Sequence, residues 1–337
     1  MRLRLRSITL LVLSLAAYAG PHDFMTRAST SVPASAQDYP VNPVRIIEPF
    51  GASGGPDLLA RALAPKLSEQ WGQPVTVENH PGVGATLGPA LVAKSPADGY
   101  TLLINTSAQA YSAALSKKLS YDPLKDFIPV ASLTNQPYVL VTGKAAGITT
   151  VRELVAAAKM KPGELKFGST GAGTGTHLGM VKFNLEAGIK VVDVPPQPTD
   201  AIADVLAATI EGRITYMMAP ISITLTPIRD GKLFPLGVTT VRRSTLLPEV
   251  PTISEAGIAG FDFPIWYGIW VPAGTPTGVI EKLSRDIARA LATPDLHDWV
   301  AKHGGEPMSM TQAEFARFVQ SESEGAARLI KAAGSNP

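Results

Sequence analysis

The 337-residue sequence predicts an α/β fold. Three observations carry this prediction. Short β-rich runs alternate with helical patterns, Gly and Pro punctuate most junctions, and several strand-to-helix loops are rich in Gly, Ser and Thr. The roughly 300 residues beyond the N-terminal segment are enough for one large core or for two lobes.

The first run, Val44–Pro49, reads as a strand. A helix follows from Pro56 to Trp71, with Leu59, Leu63 and Leu67 on one face. Pro56 suits a first turn, and Pro65 inside the pattern predicts a kink. Strand Val75–Glu78, helix Leu87–Lys94 and strand Tyr100–Asn105 come next. Ile128–Thr142 is long and apolar, interrupted by Asn135-Gln136-Pro137, and is predicted to pass from one lobe to another. The rhythm then repeats as helix Thr150–Lys159, strand Lys166–Gly168, helix His177–Ala187, strand Val191–Val194, helix Ala201–Ala208 and strand Thr215–Met218. A helix near Thr226–Arg229 leads to strand Phe234–Val238. Beyond the Pro-punctuated stretch Leu247–Gly257 lie strand Trp266–Val271 and helices Gly278–Ala292 and Gln312–Ala333.

The N-terminus predicts export. Arg2, Arg4 and Arg6 precede an apolar stretch, Ile8 to Ala19, of secretory-signal length, and two small-residue cleavage sites follow, Ala17-Tyr18-Ala19 and Ala34-Ser35-Ala36. No later segment has the run of about 18 apolar residues that a membrane span needs. The absence of cysteine excludes disulfides, a lipid-anchored cysteine, thiolate metal sites and a Cys nucleophile. Residues 1–36 carry four basic groups and one acid, so the remainder has 26 basic against 27 acidic groups. A chain this close to neutrality does not predict nucleic-acid binding or a polybasic membrane contact.

In open α/β sheets, ligands sit beyond the carboxyl ends of strands, where loops feed helix N-termini. Three such loops stand out: Phe50–Gly55, Thr106–Ala108 and Ser169–Thr176. Small residues let backbone N–H groups approach a ligand, and a helix N-terminus favours an anion. Together they predict a cradle for one or two carboxylates.

Three sharper motifs are weighed against this. Gly51-Ala52-Ser53-Gly54-Gly55 matches the G-x-S-x-G nucleophile elbow, but it follows the first predicted strand, whereas the elbow of a hydrolase lies deeper in the sheet order. Ser53 therefore reads as a ligand-facing hydroxyl or helix cap, with a secreted serine hydrolase as the alternative. "GSTGAGTGTHL" imitates a dinucleotide loop with Asp193 downstream, but it lacks the full G-x-G-x-x-G spacing. His22, His80, His177, His297 and His303 show no metal-ligand spacing, so neither a metal nor another cofactor is expected.

The phrases "PFGASGGPD", "VENHPGVGATLG", "PADGYTLL", "YDPLKDF", "GSTGAGTGTHL", "IRDGK", "LPEVPTISEAG" and "WYGIWVPAGTP" occur in this order. Together they resemble the Bug/TctC family of periplasmic solute receptors of tripartite tricarboxylate transporters, over roughly residues 39 to 330. The resemblance implies a type II periplasmic binding-protein fold, with two α/β lobes of mixed, mostly parallel sheets joined by crossing strands. One lobe would combine residues 37–136 with 242–337, and the other would be 137–241. The family implies a non-catalytic, monomeric receptor that closes over a di- or tricarboxylate, an acidic amino acid or an aromatic carboxylate. Its partners would be membrane permease subunits, or a two-component sensor if the same fold serves signalling.

Site residues follow from the resemblance one at a time. Phe50, Gly54 and Asp57 match the first-loop pattern, with Ser53 where a glycine is usual. Thr106 and Ser107 match the loop after the third strand. Ser169, Gly171, Gly173, Thr174 and His177 match the second-lobe loop, and Trp266 and Tyr267 match the late aromatic turn. Two departures make the predicted cleft less charged: Gln197 stands where many relatives have lysine, and Ala219 where many have aspartate.

Overall fold

Strand β1 (Val44–Glu48) is buried at four of its five positions, as expected of a strand covered on both faces. It pairs in parallel with β2 (Val75–Asn79) and β3 (Thr101–Thr106). Between β1 and β2 runs α1 (Gly55–Trp71), continuous through Pro65 and closed by a left-handed Gly72 whose N–H returns to the Ser68 carbonyl at 2.9 Å. Helix α2 (Leu87–Val92) precedes β3, and α3 (Ala108–Leu115) follows it. The computed structural model describes residues 39–52, 54–115, 119–194 and 202–334, which belong to one compact unit. The predicted export segment, Ser53 and Gln197 lie outside the described residues.

Pro137 divides the long Ile128–Thr142 run into β4 (Phe127–Gln136) and β5 (Tyr138–Gly143), which join different sheets. The second sheet also receives β6 (Lys166–Gly168), β7 (Val192–Val194), β8 (Tyr216–Pro220) and β9 (Leu233–Val238). Between these lie α4 (Val151–Met160), α5 (Gly175–Ala187), α6 (Ile202–Ile210) and α7 (Ile221–Arg229). The chain returns to the first sheet through β10 (Ile265–Pro272), α8 (Thr277–Leu291), α9 (Pro294–Lys302), β11 (Glu306–Pro307) and α10 (Gln312–Ala332). Thr311 and Glu314 start α10 as a reciprocal capping box.

The strand orders are β11-β4-β10-β3-β1-β2 and β7-β6-β8-β5-β9. Both sheets are mixed. In the first, β10 and the short edge strand β11 run against the rest; in the second, only β5 does. Omitting β11, the orders superimpose: β2-β1-β3-β10-β4 corresponds to β7-β6-β8-β5-β9. Each of these five-strand sets thus has one reversed strand, and α5 occupies the position of α1.

Strand alternation sends successive side chains to opposite faces. Along β10, Tyr267, Ile269 and Val271 join a core with α1 and α8, whereas Trp266 and Trp270 pack with Phe315 of α10. The two crossings between sheets are stitched together. Thr239 N–H donates to the Tyr138 carbonyl at 3.0 Å, the Tyr138 N–H donates to Thr239 Oγ1 at 2.9 Å, and Phe263 N–H reaches the Thr239 carbonyl at 2.8 Å. Among the described residues, no helix is long and apolar enough to cross a membrane.

Candidate functional site

The helices α1, α3 and α5 each begin just beyond the carboxyl end of a strand: β1, β3 and β6 respectively. Their first-turn N–H groups have no intrahelical acceptors, so the three termini supply anion-binding donors. Contacts place them along the seam between the sheets. A Cβ built on Gly175, the first residue of α5, would lie 3.2 Å from Ser107 Oγ in the first lobe. A Cβ on Gly84 would lie 3.3 Å from the Ala172 carbonyl of the second-lobe loop.

Two tyrosines of the reversed strands shape this seam. The Tyr267 hydroxyl fills the space beside Gly55, the first residue of α1, and the Tyr138 hydroxyl fills the equivalent space beside Gly175. Both phenols are buried, and desolvation holds their pKa values well above the ordinary tyrosine range. Gln136 Nε2 donates to the Tyr267 hydroxyl at 2.5 Å, which leaves Gln136 Oε1 buried and without a partner.

The first loop rests on a buried acid that the sequence reading did not single out. Glu48 Oε2 accepts from the Phe50 N–H at 3.0 Å and from Asn79 Nδ2 at 2.8 Å. The same Asn79 nitrogen donates to Asp57 Oδ1 at 2.9 Å. Burial raises the Glu48 pKa to about 8, against the pull of the Asn79 and Phe50 hydrogen bonds. Its only sequence signal is an acid that closes the strand directly after the apolar pair Ile46-Ile47. Asp57 serves the same brace. It is buried and also bonded to Arg61 Nε at 2.9 Å, so its carboxylate secures the loop instead of standing free in the cleft. Gly54 caps α1 from an extended conformation, and Phe50 is only partly buried.

The remaining predicted residues divide by how their polar atoms are used. Thr174 donates to the Gly171 carbonyl at 2.7 Å and accepts from the His177 N–H at 3.4 Å, and its hydroxyl is 3.0 Å from that of Thr176. It is the N-cap of α5, with its hydroxyl bonded within its own loop. Thr106 Oγ1 accepts from Ala108 N–H at 3.1 Å and Ser169 Oγ from Gly171 N–H at 3.3 Å, so each retains its own proton to donate. Gly171 and Gly173, with φ of 107° and 88°, give the second-lobe loop its shape. Ser107 Oγ lies against the phenols of Tyr111 and Tyr138 but meets no partner in full hydrogen-bonding geometry. His177 Nε2 is 3.4 Å from Asp193 Oδ2, and its Nδ1 is buried without a partner.

Trp266 and Ala219 are both fully buried. The Trp266 indole donates to Glu322 at 2.9 Å and packs edge-on against Phe315 and Phe318. Ala219 is buried with Val205 and Ile221.

One pocket opens beside the seam. It is small, with a volume of about 20 Å³, room for about one water, between α1, α9, the ends of β4 and β10, and Ser222 of α7. Leu58, Val300 and Trp299 line it together with Gln136, Ser222 and His303.

Similarity to known proteins agrees with this architecture. The family model described as "Tripartite tricarboxylate transporter family receptor" matches residues 59–335. Protein BugT of Bordetella pertussis is 33% identical over 315 residues, covering 93% of this chain and 95% of BugT. Rpa4515 of R. palustris with adipate has a TM-score of 0.82 at 31% identity, over 88% of this chain and 98% of its own. MatC (Rpa3494) from Rhodopseudomonas palustris with bound malate has a TM-score of 0.79 at 29% identity, over 87% and 100%. The fold is that of a two-lobed periplasmic binding protein, and members of the family are solute-binding receptors, not enzymes. The chain belongs to the Bug/TctC family of tripartite tricarboxylate transporter receptors.

Proposed function

We propose that this protein captures a small carboxylate in the periplasm, between lobes formed by residues 37–136 plus 242–337 and by 137–241, and delivers it to the membrane permease subunits of a tripartite transporter. The observation that carries this reading is the placement of α1, α3 and α5, from both lobes, with their N-termini along one seam. The loops feeding them contain no Lys or Arg, so capture relies on backbone N–H groups and hydroxyls. The N-terminal segment is the cleaved export signal, and the receptor acts as a monomer. The adipate and malate held by its structural relatives make dicarboxylates the first ligands to try. A thermal-shift screen over purified carboxylates tests the reading, because a ligand at 100 times its Kd stabilises by about 2.7 kcal/mol. A complete screen with no shift, and no binding by calorimetry, would refute it.

A further inference from the structure

The three helix starts at the seam differ in charge. Helices α3 and α5 carry no acid in their first turns, whereas α1 carries Asp57. A second carboxyl, Glu48, closes the strand that feeds α1. Glu48 is 0% exposed and Asp57 2%. One amide nitrogen, Asn79 Nδ2, bridges Glu48 Oε2 and Asp57 Oδ1 at 2.8 and 2.9 Å, which holds the two carboxyl groups close together. Arg61 Nε bonds to Asp57 at 2.9 Å, and among the described residues Glu48 has no ion-pair partner. Two buried carboxyl groups this close do not both ionise at neutral pH, and the one without a cation keeps its proton. Glu48 Oε2 already accepts from Phe50 and Asn79, so that proton resides on Oε1, which is buried without a partner. Glu48 faces Asp57 and Arg61 of α1, Asn79 of β2 and the neutral phenol of Tyr267 on β10. Glu78 and His80, on either side of Asn79, pair with each other instead, and β3 contributes no titratable side chain.

We infer that Glu48 is a proton site coupled to the ligand site: a carboxylate binds at the α1 N-terminus together with a proton held on Glu48 Oε1. The inference rests on the carboxylate-receptor reading above. The N-terminal field of a helix is limited, equivalent to about half an elementary charge, and Asp57 already draws on it. An ionised Glu48 beneath the same loop would set a second negative charge against an incoming anion. A neutral Glu48 leaves Asp57 in its pair with Arg61, so the first-turn N–H groups still attract a carboxylate. Burial holds the Glu48 pKa at about 8, where a linked proton is measurable. The charge of a bound anion favours the protonated acid further. The occupied receptor therefore retains a proton that the empty one releases as pH rises through about 8, and it takes that proton from solvent. Affinity is highest below about pH 7 and falls above it.

The test is calorimetric titration of the purified protein with malate, adipate and any other acid that shifts its melting in the carboxylate screen. Titrations at about pH 8 in phosphate and in Tris, whose ionisation enthalpies differ, count the protons taken up on binding. The wild-type protein is expected to take up about half a proton per bound acid there, and almost none at about pH 6.5. Its Kd should be weaker by about three- to tenfold at about pH 9 than at about pH 6.5. Glu48→Gln has no proton to exchange, so it should bind without uptake and with a Kd that is flat over this range. A flat wild-type Kd with no proton uptake, or a folded Glu48→Gln protein with the wild-type pH profile, would overturn the proton site and leave the carboxylate reading standing. A screen without any binder would overturn both. The wild-type titrations need no variant, so they remain decisive if the substitution impairs folding.

Discussion

The hydroxyl of Tyr267 occupies the space that any side chain on Gly55 would need, and Tyr138 holds the same relation to Gly175 in the other lobe. Each tyrosine is pinned by burial, so neither phenol can swing clear without disturbing the seam. Gly55→Ala and Gly175→Ala are each expected to destabilise by about 1–3 kcal/mol through overpacking and to weaken carboxylate binding. Removing the hydroxyl as well, in a Gly55→Ala/Tyr267→Phe double variant, should recover part of the loss. Urea unfolding of the four members of that cycle checks this, and simple additivity would count against the contact.

Glu48 predicts a pH dependence of stability. The folded protein keeps the Glu48 proton to about pH 8, whereas the unfolded chain releases it near the usual 4.5. Between these values the folded state binds more protons, so this group's contribution to stability falls as pH rises and levels off above about pH 8. Glu48→Gln resembles the protonated acid and should remove that decline. The variant should match wild type near pH 4.5 and exceed it by up to a few kcal/mol, roughly, at pH 8. Denaturant titrations across this range measure it, and parallel pH profiles for the two proteins would contradict the assignment.

Thr174 and Ser107 should respond in opposite ways. Thr174→Ala removes an N-cap and is expected to cost about 1 kcal/mol of stability, with binding lowered only as the loop loosens. Ser107→Ala removes a hydroxyl with no full hydrogen bond of its own, so stability should change little. Its effect should fall on carboxylate affinity, by roughly three- to tenfold. Thermal unfolding and calorimetry on both variants distinguish these outcomes.

Closure should be a hinge motion at the crossings, where Pro137 divides β4 from β5 and Thr239 is bonded to Tyr138 and Phe263. Small-angle scattering should show a smaller radius of gyration with saturating ligand. An unchanged radius would count against a hinge.

Most strands were legible in the sequence because their apolar runs are bounded by Gly, Pro and polar turns. The helices α3 and α9 were missed. The sequence of α3, AQAYSAAL, lacks charged residues and has little periodic contrast, and Pro294–Lys302 follows α8 after a break of only two residues. The loops Phe50–Gly55, Thr106–Ala108 and Ser169–Thr176 were visible from composition. What those loops rest on was not: the Tyr138–Gly175 pairing spans 37 positions, and the Glu48–Asn79 bond spans 31. Trp266 and Tyr267 are adjacent in one aromatic stretch, but alternation along β10 places them in different core clusters on opposite faces of the sheet.

The central claim is that a carboxylate is held by partial charges at helix N-termini instead of by a formal cation. Calorimetric titration with malate and adipate at low and at high ionic strength tests it most directly. The account predicts that the Kd of a binding carboxylate changes by less than about threefold between roughly 20 and 500 mM salt, because screening acts weakly on donors inside a closed seam. Loss of most of the affinity at high salt, or no binding by any carboxylate at either, would contradict it.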